Sequence, residues 1–392
     1  MALACLAAPL ACVLPGTAAA PATPGGTAGA ALDSAAVHRR LQSALDSLRN
    51  AAGFPGATLA VALPNGQLVA VATGESDTVR QLPMRPEDRL LQGSVGKTYV
   101  AAVAMQLVAE GRLALDAPIS RYLGDLPWFG RIPNATTITV RQLMNHTSGL
   151  VRYEFKPEVG EALRADPHRA WTPEERLSYV LDSEPPFEAG EGWEYSDTNY
   201  IVLGMIIERL TSLPYYDALR ARILEPFDLT NTIPSDRRDL PGVVVGYAGP
   251  RNSLGGFNAT MGSDGLMVLN PQFEWTGGGI ASTTADLARW GKLLYEGKTF
   301  DPTLLPQMLD GVPARLGGNA RYGLGVIIRD TPVGAAYGHS GFYPGYATEM
   351  LYLPERGVAA AIQVNTSDPY PRGLVPFLLE VLQGLPGTPG RR

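Results

Sequence analysis

One long apolar stretch, residues 90–112, constrains the fold more than any other part of the chain. Small and branched apolar residues recur through it at the spacing of one helix face. Gly111 follows at the point where a helix end favours a left-handed residue. The pattern therefore predicts a long apolar helix over about Ser94–Glu110.

The first turn of this predicted helix carries a serine and a lysine three residues apart, Ser94 and Lys97. This spacing places the hydroxyl and the amine on one helix face. A serine hydroxyl is a weak nucleophile until a base takes its proton, and a desolvated lysine amine can act as that base. Free N–H groups and the positive dipole at a helix N-terminus would also favour negative charge developing beside Ser94.

The S-x-x-K spacing alone also fits a polar first turn that faces solvent, because a short motif can arise by chance. The string GSVGKT resembles the end of a phosphate-binding P-loop. A P-loop needs a glycine five residues before its GK pair, and Leu91 stands at that position. We therefore set nucleotide binding aside.

The composition is that of an ordinary globular protein. The chain has 392 residues, of which 45% are hydrophobic and 18% are charged. This length can bury a large core in one extended domain or in two lobes. A net charge of −6 and the lack of a basic stripe argue against nucleic acid or an anionic membrane surface as a partner. No apolar run after the first twenty residues is long enough to span a membrane.

The first twenty residues are mostly small and apolar, and a Pro/Thr/Gly run follows them. This pattern predicts a signal peptide over residues 1–22, cleaved near Ala20 or Ala22, and a periplasmic or secreted protein, although a basic n-region is missing. Both cysteines, Cys5 and Cys12, lie within it, so the mature chain would contain no thiol and no disulfide. A lipid-modified Cys12 is the less favoured alternative, because the residues before it fit a lipoprotein signal poorly.

Helical and strand patterns divide the rest of the chain into three parts. A helix over about 34–50 and a hairpin turning at 64–66 come first, and mostly helical patterns follow. Strand patterns then return before a last amphipathic helix. This order predicts an α+β fold whose sheet is assembled from both ends of the chain around an inserted helical lobe. The predicted organisation is one domain at 34–382, with a sheet lobe at 34–80 and 320–382, a helical lobe at 85–300, and a flexible tail at 384–392.

Two later segments supply further polar residues. The segment GEGWEYSDTNYIVLG places Tyr195 and Asp197 just before a predicted helix. The segment YGHSGFYPGY places His339, Ser340 and Gly341 on or beside a strand. Taken singly, a tyrosine before a helix is commonly a packing residue, and a strand histidine is commonly a satisfied polar residue.

Together with GSVGK, the order and type of these motifs resemble the β-lactamase-related serine hydrolases. That family includes class C β-lactamases, D-alanyl-D-alanine carboxypeptidases, D-aminopeptidases and esterases, and it carries S-x-x-K, Y-x-N and K-T-G or H-x-G motifs. The segments ITVRQLMNHTSGL and TGGGIASTTADLARW also look like its intervening parts, so the resemblance covers most of the mature chain. It implies a β-lactamase/DD-peptidase-like α/β (α+β) fold, with an antiparallel sheet flanked by helices and an inserted all-helical lobe.

The resemblance also implies a role for each matched residue. Ser94 would be the nucleophile that forms the acyl-enzyme, and Lys97 would help to remove its proton. Tyr195 would pass that proton to the leaving group and later activate water. His339 would keep Tyr195 polarised and orient the bound substrate.

The implied oxyanion hole lies between the backbone N–H groups of Ser94 and Phe342, with Ser340 and Gly341 beside it in the substrate-binding motif. Phe342 is a departure, because the peptidases and lactamases of the family carry a Ser or Thr hydroxyl there for a substrate carboxylate. The change weakens the case for a strict carboxypeptidase or β-lactamase. It leaves room for an esterase or for a D-peptidase with an apolar subsite.

Asp197 is a second departure, because it replaces the usual asparagine of the Y-x-N motif. A carboxylate near Lys97 would favour its ammonium form, by up to ~4 kcal/mol at 4 Å with an effective dielectric of 20. Lys97 would then be a poorer base. We therefore expect Tyr195 to take more of that role while Lys97 acts electrostatically.

Other chemical signals are weak. The motifs G-x-S-x-G and H-E-x-x-H are absent and the four histidines are scattered, so we expect no metal and no organic cofactor. We expect His146 to be structural, capping the helix before it. Trp193 and Trp275 could line the groove, but we favour core packing for both.

These observations predict an exported serine hydrolase that acts through an acyl-enzyme on D-amino-acid peptides of the cell-wall type, as a D-alanyl-D-alanine carboxypeptidase does. An esterase or a class C-like β-lactamase of the same fold is one alternative. A covalent penicillin- or muropeptide-binding sensor with little turnover is another, and Asp197 favours it. The expected partner is a small-molecule or peptide substrate, without nucleic acid and without a stable membrane span.

Overall fold

The computed structural model describes residues 34–385, apart from 250, 251 and 253–255. The predicted signal peptide at 1–22 and most of the predicted tail at 384–392 lie outside these residues. Of the helices in the described part of the chain, none is both long and apolar enough to cross a membrane.

The described residues contain two antiparallel sheets, one large and one small. Their strands, in chain order, are β1 (Gly56–Ala62), β2 (Leu68–Asp77), β3 (Leu82–Pro83), β4 (Leu90–Leu91), β5 (Ile233–Pro234), β6 (Ile280–Ser282), β7 (Val312–Pro313), β8 (Arg321–Tyr322), β9 (Ile327–Thr331), β10 (Gly334–Tyr343), β11 (Tyr346–Leu353) and β12 (Val358–Val364).

The large sheet has the strand order β3-β2-β1-β12-β11-β10-β9-β8-β7. The N-terminal hairpin therefore pairs with the last strand, and Ala60 of β1 lies opposite Ala361 of β12. Every residue of β1, β11 and β12 is buried, which means that both faces of the sheet are covered. The sheet is built from both ends of the chain, as the sequence predicts.

Helices cover this sheet and are the main regular elements of the segment inserted between its two parts. Helix α1 packs on β1 and β2, α11 packs on β11 and β12, and α9 packs on β1, β11 and β12. The helices are α1 (Ser34–Ala52), α2 (Lys97–Ala109), α3 (Ser120–Leu123), α4 (Val140–Met144), α5 (Pro157–Ala165), α6 (Pro173–Ser178), α7 (Asp197–Thr211), α8 (Tyr215–Leu219), α9 (Thr284–Tyr295), α10 (Leu305–Met308) and α11 (Leu374–Gln383).

Local sequence accounts for the first elements. Val37, Leu41 and Leu45 of α1 are buried at four-residue spacing, which is the stripe that an amphipathic helix buries. The β1–β2 hairpin turns where it is predicted to turn, and Gly66 adopts φ +84° there. Glycine takes this left-handed conformation without steric cost, so the turn closes tightly.

The inserted segment is not purely helical. Strands β4, β6 and β5 form a three-stranded sheet within it, and Leu91 of β4 lies opposite Ala281 of β6. Short extended segments need backbone partners, and these strands supply one another's hydrogen bonds. The predicted all-helical lobe is therefore corrected to a helical lobe with a small sheet, and β4 leads directly to the turn that carries Ser94.

Candidate active site

Ser94 lies in a tight 3-10 turn, Gly93–Gly96, that runs directly into α2. The first turn of the predicted helix is therefore tighter than an α-helical turn. Lys97 Nζ donates a hydrogen bond to Ser94 Oγ at 3.0 Å, as the three-residue spacing predicts. The Lys97 side chain is fully buried, so the alternative of a polar turn facing solvent is wrong.

Strand β10 approaches this turn so closely that two positions require glycine. Gly93 has φ +53°, and a Cβ atom on it would stand 2.6 Å from the Phe342 nitrogen. A Cβ atom on Gly341 would overlap the carbonyl oxygen of Gln92. This approach brings the Phe342 backbone beside Ser94, which is the arrangement that the predicted oxyanion hole requires.

A glycine run, residues 277–279, packs against the same turn. A Cβ atom on Gly278 would stand 3.1 Å from the Ser94 nitrogen. Lys97 Nζ also donates a hydrogen bond to the Gly277 carbonyl oxygen. The nucleophile turn is thus held between β10 and this glycine run, which fixes the position of Ser94 without a side chain in the way.

Asp197, the first residue of α7, forms an ion pair with Lys97 at 2.6 Å. Burial acts to lower the pKa of Lys97, but the Asp197 carboxylate and then Tyr195 outweigh it, so the pKa is raised above its ordinary value. Lys97 is therefore an ammonium ion at neutral pH, which agrees with the effect expected from a carboxylate at the third position of the Y-x-N motif.

Tyr195 lies beside Lys97, with its ring centroid 4.9 Å from Nζ. Its hydroxyl oxygen is buried and makes no well-formed hydrogen bond within the described residues. Burial raises the pKa of Tyr195, although Lys97 and the Ser94 hydroxyl both act to lower it. Tyr195 is therefore a neutral phenol at rest, placed close enough to both side chains to exchange a proton with them.

His146 supports the segment that carries Tyr195. Its buried Nδ1 accepts a hydrogen bond from the Ser196 N–H at 3.3 Å and lies 3.0 Å from Asn199 Nδ2. Its ring centroid lies 4.3 Å from that of Tyr195. Burial, and then the charge of Lys97, hold its pKa well below the usual range, so the ring is neutral. His146 has structural contacts, as predicted, but it braces this segment rather than capping α4.

His339 lines the cleft, but it makes no hydrogen bond to the Tyr195 hydroxyl. The predicted polarising role would need such a contact. Its Nδ1 donates to the Ser340 carbonyl oxygen at 2.6 Å, so its Nε2 accepts from the Tyr322 hydroxyl at 2.8 Å. Both ring nitrogens are therefore engaged. Burial, reinforced by Lys97, lowers the pKa of His339 to about 3. The predicted polarising role is corrected to that of a neutral ring held by Tyr322, a residue that no sequence motif marks.

Ser340 also differs from its predicted role in substrate binding. Its hydroxyl donates to Glu349 Oε2 at 2.9 Å and accepts from Arg329 Nη2 at 2.9 Å. A hydroxyl has one proton to donate, so Ser340 has none left for a substrate carboxylate. The cross-strand pairing of Ser340 with Glu349 explains this contact, and only the sheet register reveals it.

These residues line a cleft of about 910 Å³. Phe342 borders it with a ring that is 45% exposed and that packs against Tyr370, so the third motif offers an apolar surface there. Trp193 lines the cleft and also packs against a small buried cluster that includes Tyr322, whereas Trp275 is buried in the main core as predicted. The cleft therefore combines a polar centre with an aromatic border.

Two glutamates that no motif marks line the cleft near Asp197, namely Glu154 and Glu274. Burial, with the charge of Asp197 added to it, raises the pKa of Glu154 to about 7 while Arg152 opposes the shift. The same two causes raise the pKa of Glu274 to about 8. The Oε2 atom of each is buried without a hydrogen-bond partner in the described residues. Within those residues no three His, Cys, Asp or Glu side chains are arranged to hold a metal ion.

The fold and this cleft define the class of protein, a hydrolase of the β-lactamase/transpeptidase-like serine hydrolase fold. The Beta-lactamase family pattern matches residues 41–383, and the chain belongs to that family. The predicted family and fold class are confirmed.

Known proteins similar to this chain carry several activities in their names. Penicillin-binding protein 4* of Bacillus subtilis (strain 168) is 26% identical over 365 residues, which cover 89% of this chain and 76% of that protein. The structure of D-amino acid amidase from Ochrobactrum anthropi SV3 complexed with D-phenylalanine has a TM-score of 0.76 and 27% identity, covering 88% of this chain and 99% of that chain. Esterase EstB of Burkholderia gladioli is 31% identical over 203 residues, covering 50% of this chain and 52% of that protein.

Proposed function

We propose that this protein hydrolyses amides, peptides or esters of D-amino acids through an acyl-enzyme on Ser94. The observation that carries the proposal is the meeting of Ser94, Lys97 and Tyr195 in one cleft, with 3.0 Å between Ser94 Oγ and Lys97 Nζ. The D-amino acid amidase relative supports the D configuration of the substrate. Phe342 and the engaged hydroxyl of Ser340 favour an amidase or D-peptidase over a strict D-alanyl-D-alanine carboxypeptidase.

In the proposed acylation step, the phenolate form of Tyr195 accepts the Ser94 proton as Ser94 Oγ bonds to the substrate carbonyl carbon. The Lys97 ammonium stabilises that phenolate, because Nζ lies 4.9 Å from the ring centroid. The N–H groups of Ser94 and Phe342 stabilise the oxyanion. The Tyr195 phenol then donates its proton to the leaving group, and the bond from the carbonyl carbon to that group breaks.

Deacylation reverses the same proton path. Water gives a proton to the Tyr195 phenolate and attacks the Ser94 ester, and the phenol returns the proton to Ser94 Oγ as the acid leaves. Both half-reactions begin from the phenolate form of Tyr195, and burial makes this form costly at neutral pH. The proposed mechanism therefore implies a rate that rises with pH.

A substrate panel with intact-mass measurement tests the proposal. The wild-type protein is given D-phenylalanine amide, a D-Ala-D-Ala peptide, a nitrophenyl ester and a cephalosporin. We expect turnover of the amide or the ester, a mass adduct on Ser94, and loss of both in Ser94→Ala. Turnover that persists in Ser94→Ala would show that another group carries the chemistry.

A covalent sensor is the second candidate, and the partly buried Lys97–Asp197 ion pair favours it. This pair holds Lys97 as an ammonium ion, so Lys97 does not act as a base that activates water. Slow hydrolysis would then leave the acyl-enzyme intact for a long time. A penicillin adduct on Ser94 that persists for hours without ester turnover would support the sensor. A transient adduct with ester turnover would support the hydrolase.

Export belongs to the same proposal. The signal predicted at 1–22 lies outside the described residues, and its composition is the support for it. Expression of the full chain followed by N-terminal sequencing of the exported protein tests it. We expect a mature chain that begins just after Ala20 or Ala22, and an uncleaved cytoplasmic product would contradict export.

A further inference from the structure

One wall of the cleft is acidic, and the proposed proton path uses only part of it. Glu154, Asp197 and Glu274 form this acidic wall. Glu154 and Glu274 line the same cleft as Asp197, and each interacts electrostatically with it. Asp197 pairs with Lys97, but the other two take no part in the proton transfers at Ser94.

The nearby cationic side chains leave two carboxyl oxygens of this acidic wall without partners among the described residues. Arg152 reaches Oε1 of Glu154 at 2.9 Å, whereas Oε2 stays buried without a partner. Lys97 is shared among Asp197, Ser94 and the Gly277 carbonyl. Glu274 has no ion pair of its own within the described residues, and its Oε2 is also buried and unpartnered. Buried carboxyl oxygens without partners are costly, which indicates that a ligand completes them.

We propose that the acidic wall binds the free α-ammonium group of the substrate. This inference rests on the proposed function and narrows its substrate class to amides, peptides or esters of amino acids with an unblocked amino group. An α-ammonium lies two bonds from the carbonyl carbon that Ser94 attacks. Lys97 Nζ contacts both Ser94 Oγ and Asp197 Oδ1, so Asp197 lies close to the nucleophile. This short distance suits an ammonium group two bonds from the attacked carbon.

The charge state of the wall fits this ligand. The raised pKa values of Glu154 and Glu274 mean that both hold protons for part of the time in the empty cleft at neutral pH. A bound ammonium favours the carboxylate forms and releases those protons. Burying the carboxylate forms of Glu154 and Glu274 without a cation is costly. The bound ammonium group offsets this desolvation cost.

Matched substrates test the ammonium site through a specificity ratio. The ratio compares kcat/KM for D-phenylalanine p-nitroanilide with kcat/KM for its N-acetyl derivative. We expect the wild type to prefer the free amine by at least about 10-fold, and Glu274→Gln or Glu154→Gln to reduce the ratio by about 10-fold, because a charged hydrogen bond is lost. Glu191→Gln is the matched control, since this exposed glutamate lines the cleft outside the wall, and it leaves the ratio within about twofold.

A binding experiment on the wild type needs neither turnover nor a folded variant. Calorimetry compares 2-phenylethylamine with 2-phenylethanol, which differ in the charged group. We expect the amine to bind at least about 10-fold more tightly and to release protons to the buffer at pH 7. Equal binding of the two compounds overturns the ammonium site.

The outcomes separate this inference from the proposed function. Turnover of both nitroanilides without preference for the amine overturns the ammonium site and leaves the hydrolase in place. Tight amine binding without turnover of any substrate supports the site and contradicts the hydrolase. A ratio that falls equally in Glu191→Gln and Glu274→Gln overturns the assignment to the acidic wall, because general charge would then explain it.

Discussion

Replacing Asp197 by asparagine tests how the cleft controls proton transfer. Burial acts to lower the pKa of Lys97, and the charge of Asp197 raises it again. Burial raises the pKa of Tyr195, Lys97 acts to lower it, and Asp197 acts to raise it further. The substitution removes the negative charge but keeps the size of the side chain and one carbonyl oxygen. Loss of the charge therefore lowers the pKa of both groups.

The expected size of the shift follows from the geometry. Asp197 Oδ1 lies 2.6 Å from Lys97 Nζ, although the charge centres lie farther apart because the carboxylate charge is shared by two oxygens. Unit charges about 4 Å apart interact by about 4 kcal/mol at an effective dielectric of about 20, which corresponds to about three pKa units. The Asp197 side chain is 22% exposed and water weakens the interaction. We therefore expect the pKa of Lys97 to fall by at least about one unit. The pKa of Tyr195, for which Asp197 is a smaller cause, falls in the same direction by less.

The assay is kcat/KM for a nitrophenyl ester from about pH 5 to about pH 11. With Tyr195 as base, the rate follows the deprotonated fraction, so the wild type climbs through the alkaline range. The limb of Asp197→Asn lies at lower pH than that of the wild type, because one cause that raises the pKa of Tyr195 is removed. Asp217→Asn is the matched control, because this carboxylate pairs with Arg220 on the surface and is 54% exposed. An unmoved limb in Asp197→Asn refutes the reasoning.

Three further substitutions test separate parts of the structure. Tyr195→Phe removes the proposed proton carrier, and steady-state kinetics should show a loss of at least about 100-fold in kcat/KM; near-wild-type activity contradicts its role. Gly341→Ala drives a Cβ atom onto Gln92, so we expect activity to fall far more than melting temperature, and unchanged kinetics argue against the close approach. Burial raises the pKa of Glu349 from 4.5 to about 7, so its contribution to stability is complete below pH 4.5 and is lost as the pH rises through 7. Urea unfolding should show that the wild type loses up to about 3 kcal/mol over this range relative to Glu349→Gln, and parallel curves contradict the assignment.

Local signals in the sequence are enough to predict much of the fold. The four-residue spacing of Val37, Leu41 and Leu45 predicts α1, and the turn residues around Gly66 predict the hairpin, because both depend on neighbours along the chain. The three-stranded sheet is missed because its strands are two or three residues long. Strands of that length carry no periodicity, so only their distant partners reveal them.

The candidate site also combines residues that the local sequence predicts with residues that it does not. The turn of a helix brings Ser94 and Lys97 together, so their spacing suffices to predict the contact. Tyr322 and Glu274 have no such signal, since each reaches the cleft through tertiary packing. His339 is neutral and hydrogen-bonded at both ring nitrogens, and one of these bonds comes from Tyr322. The H-x-G motif alone therefore does not predict this state.

The pairing of β1 with β12 has a consequence for how the protein comes into being. Ser94 is synthesised early, yet the strand that completes its surroundings, β10, and the strand that joins it to the N-terminal hairpin, β12, are among the last to leave the ribosome. Pairings so distant along the chain form slowly. A nascent chain therefore carries Ser94 without the Phe342 N–H that the proposed oxyanion hole requires, and we expect it to stay inactive until almost the whole chain has been synthesised.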